Sequence, residues 1–242
     1  MLVVDVVVVV GAMAAAIAIS YAMLRRKDAS PVPIATPIAL VIAHPDDESM
    51  FFVPTLANLC QNAIVHLLCL SNGDSTGLGR IRTKELEAAA QVLNLGRTPV
   101  IISDEQLPDG MDQVWSADLI RSHVDSYLHE HSIKSVITFD NYGVSGHPNH
   151  ISISKALCQD PPGGVAVYIL ESLPIWRKYI GPLNLLFEAS RIHPSEIVLT
   201  TSNPWLSYRA MKQHWSQFVW FRRLFVVFSS YTFVNHLRRI NS

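Results

Sequence analysis

The stretch VIAHPDDES, residues 41–49, ends an apolar run with a histidine, a proline and three consecutive acidic residues. Three carboxylates beside a buried segment are unfavourable unless a positive charge compensates them. A Lys/Arg cluster, a helix N-terminus or a metal ion would supply that charge. The rest of the sequence has to decide between these three.

Short β-branched runs alternate with helical patterns from residue 38 onward. Strands separated by helices favour right-handed crossovers and a mostly parallel sheet covered on both faces. We therefore predict an α/β fold, a Rossmann-like three-layer sandwich. The predicted strands lie in residues 37–43, 63–71, 99–103, 135–140 and 165–172, and the clearest helices in residues 80–95 and 116–131.

Composition excludes several classes of function. At 242 residues the chain suits one sizeable domain with an appendage. Its formal net charge of -1 and scattered Lys and Arg argue against a nucleic-acid partner. No G-x-G-x-x-G follows the first strand, which argues against a nicotinamide cofactor. Cys60, Cys69 and Cys158 lie outside any CxxC and are expected to be reduced core thiols.

The appendage is at the N-terminus. Residues 2–24 carry a single charge, Asp5, and are long enough for the roughly 20 residues that a membrane span needs. The basic residues 25–27 follow the run, which predicts an uncleaved single-pass helix with the later residues in the cytosol. We predict an anchor at residues 1–27, a Pro-rich linker at 28–37 and one folded domain at 38–242.

The last third of the chain leaves two interpretations open. Residues 203–240 interleave tryptophan and phenylalanine with arginine and lysine. One interpretation is a terminal helix packed on the core. The other is a membrane-proximal interfacial segment that places Arg222, Arg223, Arg238 and Arg239 near lipid phosphates.

A second histidine cluster, GVSGHPNH at residues 143–150, follows the fourth predicted strand. In a parallel sheet both clusters lie at the carboxyl edge, and in the commonest doubly wound order the first and fourth strands are neighbours. The sequence thus predicts one site from His44, Asp46, Asp47, His147 and His150. Two imidazoles and a carboxylate favour a catalytic zinc site, and the second carboxylate is then free to act as a general base.

At these residues the sequence resembles a known family. AHPDDE with a downstream GHPNH is similar to the zinc-dependent de-N-acetylases, the LmbE-like or PIG-L family, which act on N-acetylglucosaminyl-phosphatidylinositol or on mycothiol and bacillithiol precursors. The resemblance implies Zn²⁺, or another divalent metal, held by His44, Asp47 and His150. It also implies Asp46 as the base and His147 as the acid.

The sequence looks most like the glycolipid-acting members of this family. The resemblance lies in the anchor and in the stretches FDNYGVSGHPNH, SQFVWFRR and SYTFVNHL. This implies deacetylation of a membrane glycolipid in the second step of glycosylphosphatidylinositol synthesis, at the endoplasmic reticulum, beside the lipid bilayer and with no protein partner predicted. Candidate substrate-binding residues are Arg80, Arg82, Ser145 and Asp140, although a tyrosine takes the place of Ser145 in the thiol-precursor enzymes. The alternatives are a deacetylase of a soluble N-acetylglucosaminyl compound and a membrane-tethered, non-catalytic sugar-binding protein.

Overall fold

The computed structural model describes residues 2–28, 34–190 and 196–240, and the side chains of residues 2–9 and 25–28 are not part of that description. The basic residues 25–27 and most of the predicted linker therefore lie outside the described side chains. The strands are β1 Ile38–Ile42, β2 Val65–Cys69, β3 Val100–Ile101, β4 Ser135–Phe139, β5 Ala166–Leu170, β6 Glu196–Thr200 and β7 Val234–Arg239. The helices are α1 Leu2–Asp28, α2 Asp47–Phe51, α3 Val53–Leu59, α4 Gly79–Val92, α5 Ala117–Glu130, α6 Gly143–Gly146, α7 Pro148–Cys158, α8 Ile175–Lys178, α9 Asn184–Ser190, α10 Trp205–Met211 and α11 Trp220–Phe228.

The seven strands form one mixed sheet in the order β3-β2-β1-β4-β5-β7-β6. All pairings among β1 to β5 are parallel, as predicted, and β7 pairs antiparallel with both β5 and β6. Successive residues of β1 point to opposite faces, so Leu40 and Ile42 join one apolar cluster while Ala39 and Val41 join another. The sheet therefore has a core on each face, which confirms the α/β class.

The winding of the sheet reverses between β1 and β4. These strands pair directly, with Ile38 opposite Ser135, while β2 and β3 extend the sheet on one side and β5 on the other. Both loops that follow β1 and β4 therefore leave the same edge, where open α/β sheets bind ligands. This confirms the predicted neighbourhood of the two histidine clusters.

The C-terminal segment is more than the single packed helix of one interpretation. It contains α10 and α11 and then turns into β7, which inserts between β5 and β6. The strand was missed because its buried positions include Asn235 and His236 beside Val234 and Leu237. The Asn235 amide accepts from the Thr55 hydroxyl at 2.7 Å, so a polar residue is satisfied inside the sheet.

The N-terminal helix α1 contains 27 residues. Its second half packs on the domain, where Leu24 contacts a small cluster with Leu185 and Val234, joined by Ile17 and Tyr21. Within the part of the chain that the structure describes, no helix has both the length and the apolar character of a membrane span. The transmembrane helix and the division at residue 27 stay predictions.

Candidate active site

The two aspartates of the HPDDE stretch have different partners. Asp47 begins α2 and is buried; its Oδ1 lies 3.2 Å from His150 Nε2, and its Oδ2 lies 3.8 Å from His44 Nδ1. The same Oδ2 accepts from the backbone N–H groups of Ala43 and His44 at 3.1 and 2.9 Å. Burial raises the pKa of Asp47, but His150 and His44 outweigh it and hold the pKa well below its usual range.

His150 presents one nitrogen to Asp47 because the other is occupied. Its Nδ1 donates to the Gly143 carbonyl at 3.0 Å, and its ring stacks on Phe139 with 4.0 Å between centroids. Gly143 has a φ of 64°, and a Cβ there would lie 2.6 Å from the His150 Cβ, so only glycine allows this close approach. The Nε2 lone pair then faces Asp47 Oδ1, a contact that is favourable only with a proton or a metal cation between the two atoms.

His44 is oriented in the same manner. Its Nε2 lies 2.9 Å from Asn149 Oδ1 and 3.2 Å from Asp109 Oδ1. Asn149 Nδ2 donates to the Gln113 carbonyl at 2.7 Å, so its Oδ1 is the acceptor for His44. This contact places the proton on Nε2 and leaves the Nδ1 lone pair on the side of Asp47, as expected when a neighbouring oxygen orients a metal-ligating histidine.

Asp46 occupies a different environment. Its backbone has a φ of 122°, an uncommon conformation for a residue with a side chain. Its Oδ1 lies 3.6 Å from Arg82 Nη2 and its Oδ2 lies 3.1 Å from Arg222 Nη2. Burial raises the pKa of Asp46, although Arg222 and Arg82 oppose this effect. A buried carboxylate with a raised pKa is better suited to accept a proton than an exposed one.

Buried neighbours hold the strained backbone at Asp46. Glu48 Oε2 accepts from the Asp46 N–H at 3.2 Å, and Glu48 Oε1 accepts from His214 Nε2 at 2.7 Å. On the other side, Arg82 Nη2 donates to the Pro45 carbonyl at 2.8 Å. Strained backbone persists only where its surroundings fix it, and these contacts provide that support.

His147 lies beside the other two imidazoles, with its ring centroid 4.7 Å from that of His44 and 5.0 Å from that of His150. Ring nitrogens of all three lie within 4.8 Å of one another, so a three-histidine set is a second possible group of metal ligands. His147 caps α7, and its Nδ1 accepts from the Asn149 N–H at 3.2 Å. Burial, His44 and His150 lower the pKa of His147 to about 4. Its Nε2 then carries the proton, which favours hydrogen-bond donation over metal ligation.

Two of the four predicted substrate-binding residues are exposed and two are buried. Arg80 and Ser145 are exposed, on α4 and α6. Arg82 is buried and donates to the Gly73 carbonyl at 2.9 Å and to Asp109 Oδ2 at 3.0 Å, so its guanidinium braces the site loops. Asp140 is buried and accepts four hydrogen bonds, from the N–H groups of residues 142, 143 and 172 and from the hydroxyl of residue 172. It thereby holds the turn that presents Gly143 to His150.

Sequence reasoning missed five residues that contact the site. Two of them, Asn149 and Glu48, lie inside the quoted histidine stretches, and their place there was the available signal. Arg222 was expected near lipid phosphates in one interpretation, and the structure corrects this, because its guanidinium faces Asp46. The five are Glu48, Asp109, Asn149, His214 and Arg222.

Comparison with known proteins identifies the family. A family model described as PIG-L, GlcNAc-PI de-N-acetylase, matches residues 39–159. The chain is 40% identical over 218 residues to a probable N-acetylglucosaminyl-phosphatidylinositol de-N-acetylase of Schizosaccharomyces pombe, with 84% of this chain and 86% of the relative covered. It is 39% identical over 209 residues to the N-acetylglucosaminyl-phosphatidylinositol de-N-acetylase of Bos taurus, with 82% and 81% covered.

Among solved structures, the N,N'-diacetylchitobiose deacetylase of Pyrococcus horikoshii matches with a TM-score of 0.58 at 16% identity, covering 84% of this chain and 82% of that one. At that identity the likeness shows the fold alone. The sequence relatives carry the family assignment, since they match over most of the length of both chains. This chain therefore belongs to the PIG-L family of de-N-acetylases and is a deacetylase.

Proposed function

We propose that this protein removes the N-acetyl group of N-acetylglucosaminyl-phosphatidylinositol, giving glucosaminyl-phosphatidylinositol and acetate, in the second step of glycosylphosphatidylinositol synthesis. The relatives that carry this name support the substrate. The observation that carries the reaction is the separation of Asp46 from Asp47. Asp47 faces two histidines and Asp46 faces two arginines, so one carboxylate is available as a metal ligand and the other as a general base, the two roles that metal-assisted hydrolysis requires.

The residues present fit a divalent metal ion. His44 Nδ1, Asp47 and His150 Nε2 offer two imidazole nitrogens and a carboxylate, and the second nitrogen of each imidazole is already engaged. Buried Nε2 of His150 has no hydrogen-bond partner among the described residues. A mixed nitrogen and oxygen set with three protein ligands suits catalytic Zn²⁺, and another divalent metal is compatible with the same donors.

When bound, Zn²⁺ polarises the amide carbonyl and makes water a stronger acid near neutral pH. Asp46 is proposed to take the proton from the attacking water, since it is buried, has a raised pKa and is directed by Arg82 and Arg222. His147 is proposed to protonate the departing amine. Because its pKa of about 4 leaves the imidazole neutral near pH 7, the proton that it passes to the amine is proposed to be the one that Asp46 takes from the attacking water.

Substrate contacts are proposed for the two predicted residues that are exposed, Arg80 and Ser145. Arg80 is proposed to bind a phosphate or sugar hydroxyl, and Ser145 is proposed to take the position where the thiol-precursor enzymes carry a tyrosine. Arg82 and Asp140 are proposed to act indirectly, since their polar atoms already bind the loops that carry Asp46 and His150.

The chain is proposed to work at a membrane. Residues 1–27 are proposed as a single-pass anchor in the endoplasmic reticulum, with the catalytic domain facing the cytosol. The supports are the apolar run of residues 2–24, the helix α1 and the glycolipid named for the relatives. Protease added to sealed microsomes should digest the domain without detergent, and its protection would contradict the proposed orientation.

The experiment that tests the reaction uses the full chain reconstituted in vesicles with acetyl-labelled N-acetylglucosaminyl-phosphatidylinositol. We expect released acetate, loss of release with a chelator and recovery on adding zinc. The Asp46→Asn variant serves as the inactive control. If the full chain instead preferred a water-soluble chito-oligosaccharide, the glycolipid assignment would fail and a soluble-substrate deacetylase would replace it.

A further inference from the structure

Helix α11 exposes one apolar side. Trp220, Leu224 and Phe228 are four residues apart and therefore share one face, and they are 72%, 49% and 55% exposed. The opposite side carries Arg222, which reaches Asp46, and Val226, which is 2% exposed. A helix at a surface that faces water turns polar residues outward, so this apolar face lacks a partner in the described part of the chain.

The exposed side continues onto the neighbouring helices. We define the apolar face as Trp176, Tyr179, Trp220, Phe221, Leu224 and Phe228, all exposed. An open groove of about 450 Å³ runs between α11 and Tyr179 and is closed on one side by Met50 of α2. Trp176 contacts Phe187 of α9 with 5.3 Å between ring centroids. Helix α9 in turn packs on α1 through Leu185.

Contacts through Trp176 and α9 therefore link the apolar face to the helix proposed as the membrane anchor. It also borders the site, because Met50 lies three residues after Asp47. A second contact ties it to the histidines, since Phe225 of α11 lies 5.6 Å from Phe51, whose ring is 6.1 Å from that of His150.

We propose that the apolar face seats on the surface of an anionic lipid bilayer and so places the mouth of the site at the level of the headgroups. This rests on the proposed glycolipid substrate. Aromatic and aliphatic side chains with flanking cations are the composition of interfacial helices. Arg223 of α11 is exposed, as are Arg209 and Lys212 at the end of the adjoining α10, and residues 197–242 contain no Asp or Glu, so the exposed charge on this side complements anionic lipid.

The same charge argues against a second copy of this chain as the occupant. A two-fold contact would bring the same surface of both copies together, and each copy brings exposed cations, including Arg223 next to the face. Like charges in an interface are unfavourable, whereas an anionic bilayer is attracted by them.

The test compares two sets of substitutions in the full chain. The first replaces Phe221, Leu224 and Phe228 of the apolar face with serine. The matched control replaces Ile64 and Val100 with serine; both are also exposed and apolar, but Ile64 directly precedes β2 and Val100 begins β3, at the amino ends of these strands. Thermal unfolding of each variant checks that it is folded.

Each protein is reconstituted in phosphatidylcholine and phosphatidylserine vesicles that contain lipids with brominated acyl chains, which quench tryptophan at close range. We expect quenching in the native and control proteins and its reduction in the triple variant. We also expect the triple variant to lose about tenfold or more in turnover of vesicle-borne substrate while keeping its rate on water-soluble N-acetylglucosaminyl-inositol-phosphate.

Absence of quenching in the native protein, or equal quenching in the triple variant, would overturn the proposal, as would an equal loss on both substrates. If the native protein formed dimers in a concentration-dependent manner and the triple variant did not, the apolar face would be assigned to a second copy of the chain instead. Quenching needs no turnover, so failure of the deacetylase reaction on both substrates would refute the proposed function and leave the docking result to stand by itself.

Discussion

Two clusters in this protein place histidine among carboxylates, and they differ in where the imidazole nitrogens point. In the active-site cluster, His44 and His150 each use one nitrogen to donate to a fixed oxygen and turn the other toward Asp47. The second cluster is formed by Glu171, Glu188, Glu196 and His236. There His236 Nδ1 lies 3.3 Å from Glu188 Oε2, and Nε2 lies 3.1 Å from Glu196 Oε2.

The difference decides which cluster suits a metal. A ligating imidazole must offer a lone pair. Both nitrogens of His236 lie within 3.3 Å of a glutamate oxygen and neither has, among the described residues, a neutral acceptor such as Asn149 or the Gly143 carbonyl, so the cluster favours an imidazolium, which offers no lone pair. Cations also accompany the glutamates themselves, since Arg177 pairs with Glu188 and Arg238 with Glu171. The residue types alone would allow a metal at either place. In a metal site, the imidazole nitrogen that does not face the metal donates a hydrogen bond to a fixed oxygen, as His44 Nε2 and His150 Nδ1 do. This contact distinguishes the metal site from the ion-pair network around His236.

The largest expected effect comes from removing a ligand of the active-site cluster. His150→Ala should lose bound zinc and all measurable acetate release, because only two protein ligands remain. The matched change His236→Gln should keep one zinc per chain. Metal analysis of the purified proteins checks both. Loss of zinc in His236→Gln with retention in His150→Ala would reverse the assignment of the two clusters.

Asp46→Asn should keep the zinc and lower turnover by roughly 10² to 10⁴, the usual contribution of a general base. The reason is that Asp46 faces arginines rather than the two histidines that face Asp47. Acetate release and metal content are measured together, with exposed Asp112→Asn as the control. Near-normal turnover in Asp46→Asn would show that another group takes the proton.

The arginine beside the base should have a smaller effect. Arg222→Gln removes the group 3.1 Å from Asp46 Oδ2, and misplacement of the carboxylate is expected to cost about tenfold in kcat with zinc retained. Arg223→Gln is the matched control, because that neighbouring side chain donates to the Phe218 carbonyl instead. Equal losses in both variants would indicate a general effect on α11 and not a contact with the base.

The smallest effect concerns stability and pH at the second cluster. Burial lowers the pKa of His236, but Glu188, Glu171 and Glu196 outweigh it and raise the pKa above its ordinary value. The stabilising contribution is therefore complete below about pH 6.5 and is lost as pH rises through the raised folded pKa. Urea unfolding above pH 6.5 should show a decline of at most about 1.4 kcal/mol per pH unit for this proton.

His236→Gln should reduce that decline without abolishing it. Burial lowers the pKa of His214 as well, but Glu48 raises it, so this second histidine contributes in the same direction. Exposed His129→Gln should leave the curve unchanged. A native protein whose stability rose with pH across this range would contradict an imidazolium at His236.

The sequence alone predicted the active edge because its signals are local. HPDDES and GHPNH each follow an apolar strand, and parallel pairing brings the ends of such strands together. Helices α4 and α5 were predicted within a few residues, since their apolar spacing is regular and Ser116 caps α5. These features depend on neighbours along the chain.

The parts that escaped prediction depend on distant residues. The pairing of Arg222 with Asp46 and of His214 with Glu48 joins positions more than 160 residues apart, and one sequence carries no sign of it. Strand β7 was hidden by buried polar residues whose partners lie on other elements. Arg82 looked available for substrate because its first-turn position says nothing about Gly73 and Asp109.

The placement of β7 has a consequence for the order in which the protein is made. Strand β6 lies at the edge of the sheet and pairs only with β7 among the described strands. Because the ribosome synthesises the chain from its N-terminus, β6 has no strand partner while α10 and α11 are being made. His214 and Arg222 reach Glu48 and Asp46 in the same late interval. A nascent chain that is stopped just short of Val234 should therefore hold every proposed metal ligand and still lack a finished enzyme.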